Sequence, residues 1–227
     1  MSTITDTTTI TSTARAAARL SVACSGLFLA VLAALHLVKD ELDPSWRLIS
    51  EYEIGSNGWL MQSAFVVLAV GTVATVLSLR GHVVGATGKA GLVLLLVSAA
   101  GMALAGLAVA DPVTATQDEL TGHGNLHGLG ALLGIPTFPV AAALIARGLS
   151  HSATWPGTST AVRRATLATW FGLAQFLVAM AVLLPANDGV FGPETPLGWP
   201  NRLLMVTYVG WSLAVAFQAG RVAEPEA

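Results

Sequence analysis

The sequence predicts an all-α fold, a polytopic transmembrane six-helix bundle, and three observations carry that prediction. Six apolar stretches, at about 20–38, 58–79, 90–110, 127–147, 166–185 and 202–220, punctuate the chain. Each is long enough to cross a hydrocarbon core of ~30 Å at ~1.5 Å of helix rise per residue. The residues are 54% hydrophobic and only 11% charged, with a mean hydropathy of +0.69. Soluble domains carry about a quarter charged residues, so the usual solvated surface is missing here. Third, the charges between the stretches are sorted by sign.

That sorting predicts a topology. With the N-terminus cytoplasmic, the inner side holds Arg15, Arg19, Arg80, Lys89, Arg147, Arg163, Arg164 and Arg221, eight of the eleven basic residues. The outer side keeps Lys39, Arg47 and Arg202 but takes ten of the thirteen acids. Basic residues near span ends set orientation, which places both termini in the cytoplasm of a bacterial-type plasma membrane that the chain crosses repeatedly. Residues 1–19 are expected as a disordered cytoplasmic tail, 20–220 as a single six-span membrane domain, and 221–227 as a short cytoplasmic tail. Met1 to Thr13, rich in Ser and Thr and without periodicity, supports the first of these. Arg15 and Arg19 would suit a signal peptide, but the apolar run to Val38 exceeds an h-region of ~7–15 residues, so an uncleaved first span is expected.

These features also bound the function. The chain has no length left for a soluble domain, and its formal charge of −2 gives no basic surface for nucleic acid. The expected partner is the lipid bilayer, with a lipid or small molecule as ligand; no oligomeric state is legible. The single cysteine, Cys24, lies in the first span and can form no intrachain disulfide. Haem ligation calls for axial residues on facing helices, and no histidine lies in mid-span. A coupling site would want an ionisable group near the midplane. The one costly polar side chain there is Gln175, read as an interhelical hydrogen bond.

Taken in order, span one ends at His36, and the first outer loop follows, about 39–57. Asp43-Pro44 suits a turn or a helix start, and Pro44 to Tyr52 supports a short amphipathic interfacial helix with Trp46, Ile49 and Glu53 on one face. Trp59 anchors span two at headgroup level. The inner loops, about 80–89 and 148–165, are Gly, Ser, Thr and Pro punctuation, in which His82 and His151 read as solvated or headgroup-facing. Span three ends at Asp111. Span four carries Gly130-x-x-x-Gly134, a spacing that lets a neighbouring backbone approach, and Gly124-x-x-x-Gly128 stands at its mouth. Pro136 and Pro139 remove backbone donors in mid-span and should kink that helix, so something must compensate the freed carbonyls.

The run from Glu41 to Gly55, followed by Gly58-Trp-Leu-Met61, resembles an uncharacterised bacterial and archaeal membrane family, known only as domain of unknown function nine-nine-eight. Asp111-Pro112, His123-Gly-x-x-His127 and Gly198-Trp-Pro-Asn-Arg202 are similar to its other recurring signatures. The resemblance implies a multi-span helical bundle. It implies no substrate and no functional residue.

Two kinds of chemistry fit the outer face. His123 and His127, four apart, share one face of a helix, and with His36 and Asp111 they would form a His/carboxylate site for zinc or another divalent metal. Such a site would make the protein a metal-dependent membrane enzyme, in the manner of a lipid hydrolase, with an activated water. Alternatively Arg47 and Arg202 contact an anionic lipid headgroup or small ligand, alongside Glu51, Asn201 and the interfacial Trp59. A structural role is open to the same polar groups, as ion pairs that hold the loops into a lid.

Overall fold

The computed structural model of the chain describes residues 3–155 and 160–222. Among them are seven α-helices: α1 (Thr3–Val38), α2 (Gly58–Leu79), α3 (Gly85–Leu107), α4 (Gly122–Gly134), α5 (Thr137–Ser150), α6 (Thr160–Ala186) and α7 (Gly198–Val222). Because α4 and α5 run on from one another, they form six segments long and apolar enough to cross a membrane. The expected spans fall on these segments, except that the third runs past the end of α3 at Leu107, and the described residues contain no strand. Helix α1 begins at Thr3, so it occupies much of the stretch expected as a disordered tail. Adding turns to an established helix needs no new nucleus, which lets a weak Thr-rich helix former extend a strong one. Residues 1–2, and 223–227 of the expected C-terminal tail, lie outside the described residues.

Consecutive segments pack side by side, α1 on α2 and α2 on α3, and α7 returns to lie between α6 and α1. The ring of helices is therefore closed at α1–α7. Small residues set the close approaches. A Cβ on Gly71 would stand 2.7 Å from that of Cys24, and Ser21 and Thr75 share a hydrogen bond of 2.7 Å, which together join α1 to α2. Gly130 and Gly101 cross so tightly that a Cβ on either would meet the other's carbonyl oxygen at 2.6 or 2.5 Å. The expected glycine contact thus joins α4 to α3. Gly128, by contrast, has nothing within 4 Å.

Where the prolines were expected to kink the fourth span, the helix is interrupted between α4 and α5, and donors to the carbonyls there are visible. Ile135 and Pro136 keep right-handed helical torsions between α4 and α5. Pro139 cannot donate to the Ile135 carbonyl one turn back, and the Tyr208 hydroxyl donates to it instead at 2.7 Å. Ser98 Oγ donates to Gly134 O at 2.9 Å, and Thr137 Oγ1 to Leu133 O. Around this point Phe138 stacks on Tyr208 with ring centres 4.4 Å apart, and Trp211 meets Phe138 edge-on. Gln175 Nε2 donates to Pro200 O at 2.8 Å, the interhelical bond expected of it.

One asymmetry positions the site. Toward the face that carries Arg147, Arg163 and Arg221, which we call the basic face, α5 packs on α3 and on α6. Toward the opposite, acidic face, α4 packs on α3, whereas α6 and α7 do not pack closely along it. The bundle is closed in its basic half and parted between α4 and α6 in its acidic half.

Candidate functional site

The first acidic-face loop does not lie on the surface as an amphipathic helix. Residues 44–47 form turns and Ile49–Glu53 a single 3-10 turn that sinks into the bundle mouth. The Asp43 carboxylate accepts the Ser45 N–H at 2.8 Å, so of the turn or helix start expected at Asp43-Pro44 it is the turn that forms. Loop burial is extreme for so charged a segment: Glu51 is 1% and Glu53 3% exposed, and Tyr52 is fully buried. Removing a carboxylate from water costs on the order of several kcal/mol unless donors replace the water. Here they do. Glu51 accepts from Arg47 Nη1 at 2.7 Å, Leu48 N at 3.0 Å and Val113 N at 3.2 Å. Glu53 Oε2 accepts from Ala110 N at 3.0 Å and lies 3.2 Å from His127 Nδ1, while its buried Oε1 has no hydrogen-bond partner among the described residues. The two carboxylates thereby fasten the first loop to the segment that follows α3.

Cations complete the attachment. Lys39, 2% exposed, folds its Nζ onto the carbonyls of Ile54 and Ser56 and lies 3.5 Å from Glu41. Arg202, near the start of α7, donates Nε to His36 Nε2 at 2.8 Å. Its Nη1 donates to the carbonyls of Arg47 at 2.7 Å and Gly198 at 3.0 Å, and its Nη2 to the Tyr52 hydroxyl at 2.9 Å. Gly198 has no Cβ because Pro44 O would lie 2.2 Å from it, and its N–H donates to Ser45 O. Asn201 Oδ1 accepts the Ile49 N–H at 3.0 Å, capping the 3-10 turn from α7.

Beneath this plug lies a cavity of ≈ 200 Å³, roofed by Leu48, Ile49 and Ser50. Phe65, Met102, Ala131, Phe176 and Met205 give it mostly apolar walls, and Asn201, Tyr208 and His127 bring polar groups to them. His127 is oriented from behind. Its Nδ1 lies 3.0 Å from both Ala105 O and Ala108 O as well as near Glu53, all acceptors, so Nδ1 carries a proton and donates. Nε2 is the ring nitrogen left for a ligand. The cavity is lined from both α4 and α6, by Ala131 and Phe176, where these two helices do not pack closely on one another.

The expected metal set does not assemble. Both nitrogens of His36 are engaged, Nδ1 donating to Leu32 O at 2.7 Å and Nε2 accepting from Arg202. Asp111 accepts from Thr121 N and Thr121 Oγ1, both at 2.8 Å, and sits where a Cβ of Gly124 would be. It thus closes the N-terminus of α4, which Thr121 caps by accepting from Gly124 N at 3.0 Å. His123 is exposed on the first turn of α4, while His127 turns inward to α3. Among the described residues no three His, Cys, Asp or Glu side chains gather as a metal site. Of the five residues expected to touch a ligand, only Asn201 lines the cavity; Arg47, Glu51 and Arg202 bind the loop itself, and Trp59 points away from the bundle, 62% exposed. Glu53, Tyr52 and Tyr208 went unremarked as site residues. The signal available for the first two was their place between apolar Leu48, Ile49 and Ile54, which argues for burial of that stretch.

Loop titration follows local hydrogen bonding. The Ser45 N–H holds the Asp43 carboxyl below its usual range, and the Thr116 N–H does the same for Glu119. His82 lies at the basic face against the Trp155 ring, 3.1 Å from Thr154 Oγ1, and burial pushes its pKa down. Expected as solvated or headgroup-facing, it also joins two basic-face loops.

Six long apolar helical segments, with small-residue contacts and with donors supplied to Leu133 O, Gly134 O and Ile135 O at the α4–α5 junction, define a polytopic helical integral membrane protein. Residues 22–218 match the family described as a protein of unknown function (DUF998), and the chain belongs to that family. No curated protein and no solved structure matches it.

Proposed function

We propose that this protein binds a small amphipathic, lipid-like molecule in the cavity beneath the first acidic-face loop, with the ligand entering from the bilayer between α4 and α6. The observation that carries the proposal is the pairing of an apolar intramembrane cavity with one inward-facing imidazole fixed by Glu53 and two carbonyls. An apolar cavity of ~150 Å³ already holds a benzene-sized molecule. The ≈ 200 Å³ here therefore suits a ring or a short alkyl segment and excludes two full acyl chains. The apolar part packs on Phe65, Met102, Phe176 and Met205, and a polar group of the ligand meets His127 Nε2. The acidic face is extracytoplasmic in a bacterial-type plasma membrane and both ends are cytoplasmic, as the basic-residue distribution supports.

Ala131→Trp tests the binding, because an indole there fills the cavity from α4. Native mass spectrometry of protein purified in mild detergent should show a bound lipophile in the wild type and at least a tenfold loss in the variant, both chains remaining helical. Equal occupancy in the two proteins would refute the reading.

A further inference from the structure

A second groove of ≈ 330 Å³ lies between α1 and α7 at the basic face, remote from the cavity under the first loop. Arg15 and Arg19 line it from α1 and Arg221 from α7. Its walls then turn apolar: Val22 and Ala23 on α1, Phe217 on α7, with Gly220 leaving space between the helices. The order along each helix matters. The two helices run antiparallel, so along each wall of the groove the arginine lies toward the basic face and the apolar groups lie deeper. Arg19 to Ala23, and Arg221 back to Phe217, are four residues each, ~6 Å of depth at ~1.5 Å per residue, and positions four apart share a helix face. Among the described residues neither Arg19 nor Arg221 makes a hydrogen bond or an ion pair, and both are exposed.

We propose that this groove is a binding site for one anionic phospholipid. The guanidinium groups of Arg19 and Arg221 hold its phosphate, and an acyl chain descends along Val22 and Phe217. A charged rim over an apolar channel, set along the membrane normal at helix ends, has the polarity of a phospholipid and complements a negative headgroup. Zwitterionic lipids lack the net charge, and free phosphate lacks the chain.

The test is lipid titration of the delipidated full-length protein, read by native mass spectrometry. Dioleoyl-phosphatidylglycerol should give a saturable single adduct at least tenfold tighter than dioleoyl-phosphatidylcholine, and millimolar inorganic phosphate should not displace it. Arg19→Gln with Arg221→Gln should weaken the adduct tenfold or more, whereas Arg163→Gln with Arg164→Gln, on the same face outside the groove, should not. Gly220→Leu keeps every arginine and fills the channel; its new Cβ meets Ala18 Cβ at 3.9 Å, an ordinary contact, and in protein that circular dichroism shows to be folded lipid binding should fall. Equal binding of the two lipids, displacement by phosphate, equal loss in the Arg163/Arg164 variant, or undiminished binding in folded Gly220→Leu would each overturn the site.

Discussion

Arg202 donates to four acceptors on α1, α7 and the first acidic-face loop, which makes one side chain the junction of three segments. Leaving such buried acceptors unpaired costs ~1–3 kcal/mol each before the structure relaxes. Arg202→Ala should therefore lower unfolding stability by about 2–4 kcal/mol, measured by chemical denaturation in detergent micelles. Arg202→Lys should recover less than half of that, because a point-like ammonium cannot span the guanidinium's fork. A loss within experimental error in Arg202→Ala would remove the junction from the account. At this scale the sequence was legible only in part. His36, Asp111, His127 and Arg202 stood out by type and place, but which atoms they face is a tertiary matter. His127 at four residues from His123 reads as a chelating pair, yet its Nδ1 satisfies α3 carbonyls that no local spacing reveals.

Prolines at 136 and 139 announce a weak point in the fourth span, and the lipid environment demands that its carbonyls find donors. Those donors come from Ser98, Thr137 and Tyr208, two of them on other helices, so the interruption was legible and its repair was not. Tyr208→Phe should cost about 1–2 kcal/mol by orphaning Ile135 O. Pro139→Ala restores the N–H that Ile135 O would otherwise use, so Tyr208→Phe in that background should cost at least ~0.5 kcal/mol less. Strict additivity in this double-mutant cycle, followed by thermal unfolding, would separate the hydroxyl from the proline. The glycine pattern taught a similar lesson. Gly130 and Gly134 and their partner Gly101 pack as the spacing suggested, while Gly124 serves the Asp111 carboxylate.

For the molecule as a whole, hydropathy and charge sorting were enough to place every span, because crossing lipid is a constraint on composition. The acidic connectors misled for a physical reason. Charged residues ordinarily mark solvated loops, yet Lys39, Glu51 and Glu53 are buried because backbone donors and acceptors of the folded first loop and of the segment after α3 replace water around them. That exchange turns the first loop into a plug and leaves a cavity beneath it, beside the gap between α4 and α6. The central claim is that a lipophilic molecule occupies that space. Among the chain's five methionines, Met102 and Met205 line the cavity and Met61 is buried away from it. The direct measurement replaces methionine by its diazirine analogue, irradiates intact membranes and maps the adducts by tandem mass spectrometry. A common non-protein adduct on the peptides bearing Met102 and Met205, with Met61 joined only to protein, is the predicted result. Met102 and Met205 cross-linked solely to neighbouring helices, with no lipophile attached, would contradict it.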